Sequence, residues 1–151
     1  MRDPRRRKVH RWTAIVIAAA LFLYFYVDDW SRDFSSNHAE ISALSLDESL
    51  LPLESYRSTE ELVEAVTWAA RRIRNWEYVG EVRDENTTRL IFVRTNRLLR
   101  FKDDITVRIE DRGDQRAVTG ESRSRIDWGD LGRNPRNLRR LLEELRAVLE
   151  G

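Results

Sequence analysis

The sequence contains no cysteine and only two histidines in 151 residues. The absence of cysteine excludes disulfides, thiol catalysis, thiolate metal sites and the attachment of a lipid to cysteine. His10 and His38 both fall outside the region that the patterns below predict to fold. We therefore predict no histidine-based catalytic arrangement in the domain, no metal site and no cofactor.

The positive charge is concentrated at the N-terminus, although the net charge of the whole chain is only +1. Residues 1–11 carry six basic residues against one acidic residue, and the remaining chain carries 21 basic and 25 acidic residues. A mildly acidic domain lacks the positive surface that nucleic-acid binding requires. We therefore expect no nucleic-acid partner.

One apolar run, residues 12–27, contains sixteen residues without a charge. As a helix it would be about 24 Å long, and extension to His10 and Trp30 with a snorkelling Arg11 would bring it to the ~30 Å of a hydrocarbon core. Basic residues before the run and aromatic residues at its end favour a membrane-spanning helix over a buried one. The bulky residues at its end disfavour cleavage as a signal peptide, the alternative interpretation.

The basic residues before the run set the predicted topology. Residues 1–11 would be a cytoplasmic tail and residues 12–28 a single transmembrane helix in the cell inner membrane, with the rest of the chain in the periplasm. Residues 29–57 would be a tether, because Pro52 interrupts any continuous helix and polar residues separate the leucines. These leucines are too many for a pure linker, so we expect the tether to pack partly on the domain.

Residues 58–151 have the pattern of one folded domain. Ser58 and Glu61 predict a capping box for a helix over 59–75, and Asn134 with Pro135 predicts the N-cap and first turn of a leucine-rich final helix. Between the helices, four strands are predicted at residues 76–82, 88–95, 105–110 and 116–124. The order predicts a two-layer α+β domain: helix, four-stranded antiparallel meander, helix.

Two apolar features exceed what such a core requires. Residues 90–93 are apolar on both faces of their strand, so the tether, or alternatively a partner surface, is expected to cover the second face. Leu98, Leu99 and Phe101 lie between cationic residues. They are candidates for contact with an anionic membrane or a partner, while Leu99 and Phe101 alternatively cap the core.

A polar cluster is predicted at one end of the sheet. A hairpin turn at residues 111–114 would place Asp104 opposite Glu121 and Asp103 opposite Ser122, within a register step. The residues expected to gather there are Asp103, Asp104, Ser122, Arg123, Ser124, Arg125, Asp130 and Asn134. The simplest interpretation is an ion-pair cluster that fixes the register of the last hairpin.

Other chemical interpretations of the cluster stay open. An anion site would combine the N-terminal amides of the final helix with nearby arginines. The candidate arginines are Arg123, Arg125, Arg133 and Arg136. A Ca²⁺ or Mg²⁺ site on the acidic residues is disfavoured, because the arginines would compete for the same carboxylates. Hydrolysis by Ser122 or Ser124 is disfavoured, because no histidine or lysine is placed to act as its base.

Several of these segments resemble the DUF1499 family of domains of unknown function. The resemblance rests on the runs IFVRT, FKDD and SRSR and on a D-LG-x-N motif before the final helix, and it covers about residues 58–149. The matching positions are Phe101, Asp103, Asp104, Arg108, Ser122, Arg123, Ser124, Arg125, Asp130, Leu131, Gly132 and Asn134. Asp127, Trp128 and Asn137 depart from the family pattern. The resemblance implies a small bacterial or plastid protein, often exported or membrane-attached, and it implies no particular activity.

These patterns lead to three hypotheses for the function. The first is a non-enzymatic, single-pass envelope protein whose periplasmic domain binds a partner protein or a lipid at the membrane surface. The second is an enzyme that acts on an anionic or lipid substrate, with Asp103 or Asp104 as the acid or base. The third is a carrier of a hydrophobic ligand beneath the helices, which a closed, leucine-filled core would exclude.

Overall fold

A computed structural model describes residues 12–21, 37–97, 100–126 and 132–151. Residues 12–21 are helical and exposed. The elements of the folded part are, in chain order, β1 (His38–Ile41), a short 3-10 helix (Glu48–Leu50), β2 (Leu53–Ser55), α1 (Thr59–Arg72), β3 (Trp76–Arg83), β4 (Thr87–Thr95), β5 (Lys102–Asp111), β6 (Arg116–Ser124) and α2 (Arg133–Glu150). The fold is therefore of the α+β class.

Within the described residues the sheet has six strands, so the prediction of a four-stranded meander is wrong. The strands lie in the order β1, β6, β5, β4, β3, and β2 also pairs with β6. Every pairing is antiparallel. The two additional strands come from the segment that was predicted to be a tether. They contain only four and three residues, too few for the alternation that reveals a strand in a sequence.

No helix in the described part of the chain is long and apolar enough to cross a membrane. This finding contradicts the transmembrane helix predicted over residues 12–28. The uncharged run is shorter than a hydrocarbon core, and the prediction depended on extending it with flanking residues. The predicted cytoplasmic tail, residues 1–11, and residues 22–36 lie outside the described residues, and the periplasmic location stays a prediction.

Helix α1 begins with the predicted capping box, which the structure confirms. The Ser58 amide donates to Glu61 Oε2 (2.8 Å), and the Glu61 amide donates to Ser58 Oγ (3.2 Å). The hydrogen bonds from the backbone and the hydroxyl of Ser58 lower the pKa of the Glu61 carboxyl. The helix ends at Arg72, before the predicted residue 75, and Asn75 adopts a left-handed conformation with φ 66°. This turn sends the chain directly into β3.

Both helices pack on the same face of the sheet. The largest fully buried side chains are those of Leu62, Val66, Leu90, Phe92, Ile105, Val107, Ile109, Val118, Leu138, Leu141, Leu142 and Leu145. They alternate along β4 and β5 and recur at helical spacing on α1 and α2, as a two-layer core requires. A core filled in this way gives the carrier hypothesis no support.

We call the opposite side of the sheet the open face. Ile91 and Val93, on the open face of β4, are half-buried. The described part of the predicted tether does not lie across them, because β1 and β2 pair with the far edge of β6 instead. The described part of the tether, residues 37–57, therefore extends the sheet and does not cover its second face.

A hydrogen-bonded contact joins the segment between β1 and β2 to helix α2. Arg139 Nη2 donates to Asp47 Oδ2 (2.8 Å), and the Ser49 amide donates to Asp47 Oδ1 (3.0 Å). The hydroxyl of Ser49 and, to a lesser degree, Arg139 lower the pKa of the Asp47 carboxyl below its ordinary value of 3.8, against the opposing effect of burial. The charged form of Asp47 is therefore favoured in the folded protein.

Replacing Asp47 with asparagine is expected to lower the free energy of unfolding by about 0.5–1 kcal/mol at neutral pH, as for other partly exposed ion pairs. Folding lowers the pKa of Asp47. Its contribution to the free energy of unfolding is therefore complete at pH values above the pKa of the unfolded chain, and it is lost as the pH falls through the pKa of the folded protein. Urea unfolding of parent and variant from about pH 7 to 3 measures it. The difference in unfolding free energy between parent and variant should stay constant down to about pH 5 and then decrease. An increase of this difference at lower pH would contradict a stabilising role for the charged form of Asp47.

Candidate functional site

The register of the β5–β6 hairpin decides which polar side chains share a face. Asp103 pairs with Ser124 and Asp104 with Arg123, two residues away from the predicted register. The difference arises because the turn lies at residues 112–115, where the Arg112 amide donates to the Gln115 carbonyl (3.0 Å). A two-residue shift keeps each side chain on its face. Asp103 and Ser124 therefore both point towards the helices.

Asp103 is the centre of a buried polar network. Its side chain is 1% exposed. Oδ1 accepts a hydrogen bond from Ser124 Oγ (2.7 Å) and lies 3.3 Å from Arg133 Nη2. Oδ2 accepts from Asn137 Nδ2 (3.2 Å) and lies 3.6 Å from Arg94 Nη1. Both oxygens are thus held by protein groups, which leaves Asp103 no exposed surface for the acid/base role of the enzyme hypothesis.

Asn134 connects this network to β1. Its amide nitrogen donates to the Asn37 carbonyl (2.6 Å) and to Ser124 Oγ (3.2 Å), and its carbonyl oxygen accepts from Ser122 Oγ (2.6 Å). The prediction of Asn134 as the N-cap is wrong. Gly132 is the N-cap, in a left-handed conformation (φ 73°) that suits glycine, and no side chain caps the helix.

Three other predicted cluster residues, Asp104, Arg123 and Arg125, lie on the side of the open face. Arg125 makes a two-pronged ion pair with Asp104, with Nε to Oδ2 at 2.9 Å and Nη2 to Oδ1 at 2.7 Å. The hydrogen bonds that Arg125 donates to Asp104 raise the pKa of the Arg125 guanidinium. Arg123 is exposed. The sheet therefore divides the predicted cluster into a buried network and an exposed ion pair.

The predicted contact residues are only partly described. Asp130, Leu98 and Leu99 lie outside the described residues. Phe101 is half-buried, and the guanidinium of Arg133 lies 5.5 Å from the centroid of its ring. This distance allows a cation–π interaction. Phe101 therefore borders the buried network.

Above the buried network lies a cleft of about 520 Å³, which we call the arginine cleft. It is formed by the C-terminal end of α1, the end of β4 and the first turns of α2. Its lining residues are Arg72, Ile73, Arg74, Asn75, Arg94, Arg133, Arg136, Asn137 and Arg140. None of these described lining residues is acidic. Six arginines around one concave surface create a strongly positive potential.

Two carboxylates beneath the cleft hold four of its arginines in place. Glu144, whose side chain is 10% exposed, contacts Arg72 Nε (2.9 Å) and Arg140 Nη2 (2.6 Å). Asp103 lies between Arg94 and Arg133, as described above. Arg74 is exposed and makes no ion pair with any described residue. The carboxylates therefore order the arginines without neutralising the cleft.

Arg133 adds a largely buried guanidinium to the lining of the cleft. Its side chain is only 9% exposed, and its buried Nε atom has no hydrogen-bond partner among the described residues. The N-terminus of α2 adds the positive end of the helix dipole, and its first turn contains no acidic residue. Guanidinium groups beside a helix N-terminus favour an anionic group in the cleft.

Sequence reasoning found two of the six cleft arginines, Arg133 and Arg136, through the helix N-terminus. The missed signal on α2 is the spacing of Arg133, Arg136 and Arg140, which places them on one helical face. The missed signal on α1 is the group of arginines at and after its end, Arg71, Arg72 and Arg74. Antiparallel packing of the two helices brings these groups together, and no local pattern reports that packing.

The fold and the cleft define a small α+β domain with a concave surface lined by six arginines. The family described as Protein of unknown function (DUF1499) matches residues 29–145, and the chain belongs to this family. The matched range begins before β1, so it includes the two short strands that the resemblance over residues 58–149 left out. No curated protein matches the sequence of the chain.

Proposed function

We propose that the domain is a non-enzymatic binding module that holds the phosphate group of an anionic lipid in the arginine cleft. The observation that carries this proposal is the set of six arginines around the cleft, beside the N-terminus of α2. Arginine guanidinium groups match the oxygens of a phosphate group in pairs. A volume of about 520 Å³ is also within the range typical of small-molecule sites.

A lipid is favoured over a soluble ligand by the surroundings of the cleft. The β4–β5 connection begins one residue beyond Arg94, because Thr95 forms the last pair of the two strands with Lys102. Two more exposed arginines, Arg97 and Arg100, lie in that connection. Cations grouped at one end of a domain are attracted to an anionic membrane surface by about 1 kcal/mol each. A phospholipid headgroup in a membrane surface could contact both the cleft and these two arginines.

A non-enzymatic role is favoured by the state of the two carboxylates that the enzyme hypothesis required. Asp103 is buried and held by protein donors, and Asp104 is bound by Arg125 through both oxygens. An acid/base catalyst must reach the proton that it transfers. Neither carboxylate presents an oxygen to the arginine cleft, so the cleft offers binding groups and no general base.

Sedimentation of the full chain with lipid vesicles tests the proposal. We expect the parent to bind phosphatidylglycerol vesicles at least tenfold more tightly than phosphatidylcholine vesicles, because only the former adds net negative charge. The double variant Arg74→Gln/Arg136→Gln should lose most of this preference. The matched control Arg71→Gln/Arg123→Gln removes the same charge outside the cleft and should keep it. The apolar residues 12–21 are common to all variants, so they cannot produce the difference.

Further arms of the experiment separate the sources of the phosphate group. Inorganic phosphate and glycerol phosphate should displace the parent from the vesicles at millimolar concentration. Binding of free glycerol phosphate without any preference for anionic vesicles would overturn the lipid and assign a soluble phosphate ester. Equal loss of binding in the cleft variant and in the control variant would overturn the cleft itself.

A further inference from the structure

The open face of the sheet carries a second group of chemically active side chains, across the sheet from the arginine cleft. Strand β1 pairs with β6 so that Glu40 lies opposite Glu121 and His38 opposite Arg123. Two carboxylates directly opposite each other on neighbouring strands repel. Their placement is therefore unfavourable unless a cation lies between or beside them.

His38 and the two glutamates bring their donor atoms together. His38 Nε2 lies 3.2 Å from Glu40 Oε1 and 3.7 Å from Glu121 Oε2, and the three donor atoms all lie within 4.8 Å of one another. Arg108 contacts Glu121 through the other oxygen, Oε1 (2.5 Å). The oxygen that faces His38 is thus separate from the one that the arginine engages.

These distances fit the coordination sphere of a zinc-like ion. Zinc binds histidine nitrogen and carboxylate oxygen at about 2.0–2.2 Å in a tetrahedron, so neighbouring donors are separated by about 3.3–3.6 Å. The two distances from His38 bracket this separation. A histidine with two carboxylates suits zinc or a similar transition metal, whereas calcium and magnesium prefer oxygen donors only.

We propose that His38, Glu40 and Glu121 form a binding site for one divalent transition-metal ion, zinc being the best fit. Three protein ligands leave a coordination position for water or a small anion. A hollow of about 250 Å³ that includes His38, Asp104, Glu121 and the exposed Arg123 adjoins the site. The bound ion would neutralise the facing carboxylates and fasten the edge strand β1 to β6. The site was missed in the sequence because His38 was assigned to a tether.

A calorimetric titration of the full chain with zinc chloride tests this site. We expect one saturable site in the parent, reversed by a chelator, and a binding constant at least tenfold lower in His38→Ala and in Glu40→Gln. Glu40 is 54% exposed, so its replacement should leave the fold intact. The matched control His10→Ala removes the other histidine and should bind zinc like the parent. Zinc should also raise the thermal midpoint of the parent and the control only.

Three results would overturn the proposal. The first is the absence of saturable zinc binding to the parent. The second is equal binding by the parent, His38→Ala and Glu40→Gln. The third is tighter binding of calcium than of zinc, because it would show a site of carboxylates that does not use the histidine. The site is independent of the arginine cleft, so the vesicle experiment neither supports nor weakens it.

Discussion

Replacing Asp103 with asparagine is expected to lower the free energy of unfolding by about 3–5 kcal/mol, the range found when one partner of a buried ion pair is removed. The substitution preserves the shape of the side chain but removes the charge that faces Arg133 and Arg94. It also sets an amide donor against donors of the network, such as Asn137 Nδ2. Urea unfolding at neutral pH, followed by circular dichroism, measures the change.

Asp104→Asn is the matched control for this prediction. Asp104 is the next residue on the same strand, but it lies on the open face, and both members of its ion pair with Arg125 are about half exposed. Exposed pairs contribute less than about 1 kcal/mol. Equal losses in the two variants would contradict the assignment of Asp103 to a buried network.

Replacing Asn134 with alanine is expected to lower the free energy of unfolding by about 2–4 kcal/mol. The side chain is fully buried. Its removal leaves the Ser122 hydroxyl without its acceptor and takes from the Asn37 carbonyl one of its two donors, the other being the Ser124 amide. Each unsatisfied buried group costs about 1–3 kcal/mol, and the higher helix propensity of alanine offsets only a fraction of this. Urea unfolding gives the total effect.

Hydrogen exchange localises the effect of Asn134→Ala. Because Asn134 ties Asn37 to the network, the amides of β1 should lose protection more strongly than those of β5. Asn86→Ala, which changes an exposed asparagine between β3 and β4, is the control and should leave both the stability and the protection of β1 unchanged. Unaltered protection of β1 in Asn134→Ala would contradict the link between the helix and the edge strand.

Local signals in the sequence predicted those parts of the fold that local interactions determine. The capping box of Ser58 and Glu61 depends on residues three apart, so it is readable from the sequence and is confirmed. The alternation in β5 likewise placed Ile105, Val107 and Ile109 on the core side. Each of these features requires knowledge of only a few neighbouring residues.

The errors arise where distant residues decide the structure. Asn134 has the side chain of an N-cap, yet the helix begins two residues earlier than predicted, because Gly132 takes the left-handed conformation and Asn134 bonds to Asn37 instead. Strands β1 and β2 exist because β6 offers them an edge. Neither partner is near in sequence, so no local pattern could have shown either outcome.

The candidate sites were the least predictable features. The arginine cleft depends on the antiparallel packing of α1 against α2, and the grouping of His38 with Glu40 and Glu121 depends on the pairing of β1 with β6. The composition does not indicate the cleft, because its six arginines belong to a chain with a net charge of only +1. Local concentration of charge by the fold, rather than total charge, creates the site.

The central claim is that the arginine cleft binds a phosphate group. A titration with inorganic phosphate, monitored by nuclear magnetic resonance, tests it most directly. The Nε–H group of Arg133, which has no partner among the described residues, and the backbone amides at the start of α2 serve as reporters in the nitrogen-labelled full chain. The account predicts that these signals shift together and saturably as inorganic phosphate is added, and that Arg74→Gln/Arg136→Gln weakens the response at least tenfold. Unmoved Arg133 signals, or weak shifts spread over arginines outside the cleft, would contradict it.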